Sequence, residues 1–206
     1  MYERVADGGL IYRNLSLITA PGHPLTVVEA KEHLRVTWSE EDERIESLIA
    51  AAMAYLDGRD GILGRALAPQ TWEYTLDRFP VCSWIGLPLP PVQSITSITY
   101  RDASGAPVVW GAGNYSLGAD KHWCPRIIRA PGVSWPGTWS EPEAVTIRAV
   151  HGYESPADVP EPLRQAMLLL IGHWFANREV VLTGTISKEI EFAVEALCAP
   201  YMITAF

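Results

Sequence analysis

Little in this sequence points to chemistry. Its 206 residues hold only three cysteines, Cys82, Cys124 and Cys198, with no CxxC or Cys/His spacing. That argues against a disulfide framework or a zinc site and for free thiols in a reducing compartment. No GxSxG, HExxH, P-loop or dinucleotide fingerprint occurs. The five histidines, His23, His33, His122, His151 and His173, are spread over different predicted elements, none beside a cysteine or a paired carboxylate. No catalytic residue, metal site or cofactor is assigned. Cations are also scarce: 16 Lys and Arg against 24 Asp and Glu give a net charge of −8, the wrong sign for holding phosphates by counterion release. Long apolar runs are missing too. Residues 10–18 are interrupted by Arg13 and Asn14, and 167–175 have only the length of a core helix, so neither reads as a signal or membrane segment. The expectation is a soluble protein made in a cytoplasm, with no membrane partner.

What is present is order along the chain. Hydrophobic residues make up 48% and charged ones 19%, a balance that builds cores and argues against disorder. Thr26 with Glu29 forms a capping box and predicts a helix over 27–36. Ser39 with Asp42 repeats the signal, and Glu40, Glu41, Asp42 and Glu43 suit the positive end of a helix dipole. Behind them Ile45, Leu48, Ile49, Ala52 and Leu56 recur at helical spacing, with Gly58 and Gly61 as stops.

From Gln70 the period changes to two: Trp72, Tyr74 and Leu76 alternate with Thr71, Glu73 and Thr75. Further strands are predicted at 94–101, 108–110, 115–117, 126–129 and 145–150, with Asp102-Ala103-Ser104-Gly105 as a turn. Most tryptophans fall in this region. They are read as lobe core by the burial tendency of aromatics, with Trp135 and Trp139, flanking Pro136-Gly137, as candidates for an exposed contact.

Helical period returns after Asp158, a predicted cap, with Pro160 and Pro162 in the first turn. Leu163, Met167, Leu170, Ile171 and Trp174 define one face, while Ala166, Leu168, Leu169 and Phe175 occupy others, so this helix is expected to be central and buried on several sides. Leu168 and Phe175 are candidate subunit contacts. A short helix over 192–199 is stopped by Pro200, and the chain stays apolar through Phe206. Tails are normally polar and frayed, so this one is expected to dock. The fold class is α+β: a small helical core of three main helices, an inserted antiparallel β lobe and an extended C-terminal tail. The expected division is an N-terminal arm 1–24, helical core 25–68 and 158–198, β lobe 69–157, and docking tail 199–206.

Several segments, taken in order, resemble one family. They are Leu17-Ile18-Thr19-Ala20-Pro21 with the stretch from Leu25 to Val36, Gly64-Arg65-Ala66-Leu67, Gln70-Thr71-Trp72-Glu73, and Leu87-Pro88-Leu89-Pro90-Pro91-Val92-Gln93-Ser94-Ile95. To these are added Pro162-Leu163-Arg164-Gln165-Ala166, His173-Trp174, Asn177-Arg178-Glu179 and Ala196-Leu197-Cys198-Ala199-Pro200-Tyr201. Together they resemble head-tail connector proteins, or adaptors, of long-tailed bacteriophages and of phage-derived gene transfer agents. The resemblance implies a non-enzymatic virion protein of the neck, assembled in a bacterial host cytoplasm. It implies a homo-oligomeric ring, twelvefold by that resemblance, that binds the portal protein above and a stopper or tail-terminator protein below, while DNA transits without specific binding. It also implies a C-terminal segment that reaches the portal, carried here by Pro200, Tyr201, Met202, Ile203 and Phe206; the burial and ordering energies of such a tail nearly cancel, so it is expected to be mobile until the portal is present. Two rival readings stand beside it. One is a carbohydrate- or protein-binding module using the Trp-rich lobe, which an exposed coplanar Trp pair would mark. The other is another neck protein such as a stopper.

Overall fold

The computed structural model describes residues 5–6, 10–177 and 188–203. They divide into two compact units, one from the residues up to Pro21 with Pro69–Tyr153 and one from Gly22–Ala68 with Glu154–Ile203.

The first unit is built on β-strands, with one 3-10 turn at Ala112–Asn114 among its described residues. Its strands are β1 (Val5–Ala6), β2 (Leu10–Thr19), β3 (Gln70–Leu76), β4 (Trp84–Gly86), β5 (Val92–Arg101), β6 (Pro107–Val109), β7 (Tyr115–Leu117), β8 (Arg126–Arg129) and β9 (Val145–His151). They form a six-stranded sheet in the order β1-β2-β3-β9-β5-β6 and a three-stranded sheet in the order β4-β8-β7, with every pairing antiparallel. The period-two pattern of β3 produces strict alternation of burial, and β9 beside it alternates in the same way. Tyr74, Leu76, Ile98, Val145 and Ile147 belong to one buried core cluster. The predicted turn after β5 forms as the residues dictate: Asp102 Oδ1 accepts from the backbone N–H of Ser104 at 2.8 Å, and Gly105 takes a φ of +81°. Residues 10–19, within the expected N-terminal arm, form the strand β2, which pairs antiparallel with β3 through two register shifts.

The second unit is helical: α1 (Val27–Leu34), α2 (Asp42–Leu56), α3 (Glu161–Ala176) and α4 (Lys188–Cys198). The capping box at α1 closes in both directions, with Thr26 Oγ1 accepting from Glu29 N–H at 3.2 Å and Glu29 Oε2 accepting from Thr26 N–H at 2.8 Å. These Thr26 bonds, backbone first, hold the Glu29 carboxyl below its ordinary range. Arg164 of α3 pairs with the same carboxylate and donates to Pro24 O at 3.2 Å, which ties α3 to the start of α1. At α2 the expected Ser39 cap is replaced. The Ser39 carbonyl, not its hydroxyl, accepts from Asp42 N–H at 3.1 Å, and Glu41 caps without a side-chain bond. Asp158 likewise does not cap α3. It ends a short 3-10 turn, Pro156–Asp158, where it accepts from Ser155 Oγ at 2.6 Å, and Pro160 precedes the helix. Past α2 the chain folds sharply back, and a Cβ on Gly61 would lie 2.3 Å from Asp57 O, so only glycine fits. α3 packs against α1, α2 and α4, and its Leu163, Met167, Leu170 and Ile171 are fully buried.

One buried titratable group stands out in the β unit. His151, at the end of the central strand β9, is fully buried. Its Nδ1 lies 2.9 Å from Leu89 O, which requires Nδ1–H as donor and leaves Nε2 unprotonated and without a hydrogen-bond partner. Burial pushes its pKa down to about 4. Unfolded, the ring takes a proton near the usual 6.5, so the fold loses stability as pH falls from there toward 4. The loss should amount to about 3 kcal/mol. Urea midpoints measured from pH 7 to pH 4 should fall faster for the wild type than for His151→Gln, and parallel curves would contradict this assignment.

Candidate docking surfaces

The end of the described chain is held by a loop that follows α2. α4 runs directly into a 3-10 turn, Ala199–Tyr201, in which Pro200 needs no N–H partner. Cys198 at the junction is fully buried, and burial pushes its thiol up to about 11, so it acts as an inert core residue. The carbonyl of Tyr201 accepts from Arg65 Nε at 2.8 Å, and the N–H of Ile203 donates to Leu63 O at 2.9 Å. Between these two anchors lies Gly64, at φ +63°, where a Cβ would stand 3.1 Å from Ile203 O. Arg65 is only 1% exposed. Burying a guanidinium is costly unless its donors find acceptors, and Tyr201 O takes the Nε–H.

The expected tail therefore does not hang free from Ala199, because it is tied down as far as Ile203. Pro200 is exposed, Tyr201 and Ile203 are half-buried, and Met202 is 37% exposed. Phe206 lies outside the described residues. The structure thus brings Pro200, Tyr201, Met202 and Ile203 together after α4, while Leu168 and Phe175 lie on α3 of the same unit and Trp135 and Trp139 belong to the β unit.

Trp135 and Trp139 are split by the Pro136-Gly137 bend between them. Trp135 stacks on Phe79 at 5.0 Å and 11°, leans on Trp110 at 4.9 Å, and donates its indole N–H to Cys82 O at 2.7 Å. Trp139 stays 42% exposed, its backbone N–H bonded to Arg101 O at 2.9 Å. Leu168 is buried inside the helical unit. Phe175 is half-buried beneath the Arg44 guanidinium, whose carbon lies 4.9 Å from the ring centroid.

Among the described residues no three of His, Cys, Asp and Glu come together as a metal site, and no helix is long and apolar enough to cross a membrane. The sequence reading missed the anchor made by Leu63, Gly64 and Arg65. Its available signal was a lone arginine within the apolar run Ile62-Leu63-Gly64-Arg65-Ala66-Leu67, where a charge must be buried with a partner.

No family model matches the chain, and no curated protein does. Solved structures do match. A chain of the neck of an empty gene transfer agent particle, computed with C6 symmetry, is 26% identical at a TM-score of 0.75, over 94% of this chain and 97% of that one. A chain of the virion of a native gene transfer agent particle is 27% identical at 0.74, over 93% and 96%. A third, from the neck of a native particle computed with C12 symmetry, shares the fold at 23% identity and a TM-score of 0.67. Among the described residues, four α-helices and two antiparallel sheets make this a mixed α+β chain with the fold of a neck protein. It is a structural protein of the virion neck, not an enzyme.

The anchor makes a direct prediction. Gly64→Ala imposes a strained φ and crowds Ile203 O, and should destabilise the chain by about 1 to 2 kcal/mol. It should also speed hydrogen exchange at the Ile203 amide. An Ile203 amide already unprotected in the wild type would contradict the anchor.

Proposed function

We propose that the chain is the connector, or adaptor, subunit of such a neck. Copies form a ring of twelve, the symmetry under which one similar neck was computed. The ring sits between the portal of a DNA-filled head and a stopper or tail protein. The observation that carries this reading is the extent of the likeness: 94% of this chain lies over 97% of a neck subunit, so little of the sequence is left to serve another role.

Two physical features support it. The net charge of −8 suits a conduit through which DNA slides without adhering. The C-terminal segment carries Pro200 and Met202 outward from a firm base at Arg65 and Leu63. Fixing that base in advance lowers the entropy lost when the end of the chain docks on a portal, and a ring of such ends multiplies a weak single contact by effective concentration. Tyr201, Met202, Ile203 and Phe206 are assigned to that contact. The carbohydrate-module alternative loses its support, because Trp135 and Trp110 pack with Phe79 inside the lobe and present no coplanar exposed pair.

Co-sedimentation of the purified chain with portal-bearing heads tests the proposal. The wild type should bind, and Met202→Asp should weaken binding by about tenfold or more, since burying such a side chain is worth about 1.5 to 3 kcal/mol. A wild-type chain that never sediments with heads would overturn the adaptor reading. A Met202→Asp chain that binds like wild type would overturn the assigned contact.

A further inference from the structure

The outer face of the three-stranded sheet is chemically unlike the rest of this acidic chain. Alternation along β4 and β8 turns Ile85 and Ile127 inward, both fully buried. It leaves Trp84, Arg126 and Ile128 on the opposite side, with Ser116 of β7 across from Ile128. Arg126 is diagonal to Trp84, and its guanidinium carbon lies 4.2 Å from the indole centroid. Gly86 opposite Arg126 keeps the surface flat, since a Cβ there would already stand 3.5 Å from the Trp84 ring. Ile128 is 40% exposed. Arg126 makes no ion pair among the described residues, and its Nε is buried without a hydrogen-bond partner. Between Asp120 and Glu141 the sequence holds Lys121, Arg126 and Arg129 and no carboxylate.

α4 offers the complementary surface. Phe192 is 73% exposed, and Glu189, Glu191 and Glu195 are exposed around it, none of them ion-paired among the described residues. Glu191 and Glu195 stand at i and i+4, a like-charge spacing that destabilises a helix unless a cation comes from outside.

We propose that these two faces meet between neighbouring copies: Phe192 of one copy seats against Trp84 and Ile128 of the next, and Glu191 and Glu195 take Arg126. Exposed aromatics with an arginine at the centre are the usual composition of an interface hot spot. The contact joins unlike faces, so it is heterologous, and repetition about an axis closes it into a ring. Copies that each carry −8 repel one another, and a matched cation and carboxylate pair sets which faces come together. The inference rests on the ring reading above and names its contact.

The test uses charge reversal on each side, read as copies of the chain per purified particle by quantitative mass spectrometry. Arg126→Glu alone and Glu191→Arg with Glu195→Arg alone should each lower the copy number by about tenfold or more, and the combined variant should return to within about twofold of wild type. Phe192→Ala, which removes an exposed side chain and leaves the core intact, should lower it as well, and melting temperatures confirm that each variant folds. Wild-type incorporation of either reversed variant or of Phe192→Ala would overturn the contact while leaving the neck reading in place, and so would failure of the combined variant to recover. Retention of the wild type on duplex DNA that Arg126→Glu abolishes would assign the face to nucleic acid and overturn the contact too. Particles with no wild-type chain in the neck would instead overturn the ring reading and this contact together.

Discussion

A buried arginine in the loop after α2 fixes the turn that follows α4. Arg65 sits almost wholly out of solvent, and its Nε bond to the Tyr201 carbonyl joins the loop after α2 to the turn after α4. The Ile203 bond to Leu63 sets a second point, and Gly64 supplies the backbone room between them. An arginine cannot be left unpaired at that depth without a large desolvation penalty. The helical unit therefore forms with the turn after α4 in place.

That constraint changes how the terminus serves a neck protein. A wholly free tail would surrender the entropy of every residue on docking, whereas this one presents Met202 from a turn already ordered. Exposed apolar side chains occur on both units, Val28, Val81 and Val109 among them, and they include Phe192 on α4 and Ile128 on the outer face of the small sheet. Scattered exposed apolar residues are ordinary in any protein. Phe192 and Ile128 are set among unpaired charges of opposite sign, glutamates in one case and Arg126 in the other, and that arrangement favours association with one orientation over general stickiness.

Much of the fold was legible in the sequence because its local signals agreed with the tertiary structure. The Thr26 and Glu29 box, the alternation through Trp72, Tyr74 and Leu76, the Asp102 turn and the apolar run of α3 each formed where periodicity and capping chemistry placed them. The misreadings fall where a backbone group replaced the side chain that sequence reasoning favoured, as at Ser39, or where a short turn intervened before a helix, as at Asp158. α4 begins at Lys188, earlier than the apolar residues alone suggested, since Glu189 and Glu191 supply an acidic first turn. The docking residues were harder to read. Trp135 and Trp139 have the same identity and nearly the same neighbours, and only the aromatic shelf of Phe79 and Trp110, distant in sequence, draws one inward. The Arg65 anchor depends on a backbone carbonyl 136 positions away, which no local pattern encodes.

The central claim is that this chain forms the connecting layer of a virion neck. A reconstruction of intact particles by electron microscopy tests it most directly. The account predicts one ring of this chain between portal and tail, with residues after Tyr201 turned toward the portal. Density for the chain outside the neck, or a neck ring whose C-termini face away from the portal, would contradict it.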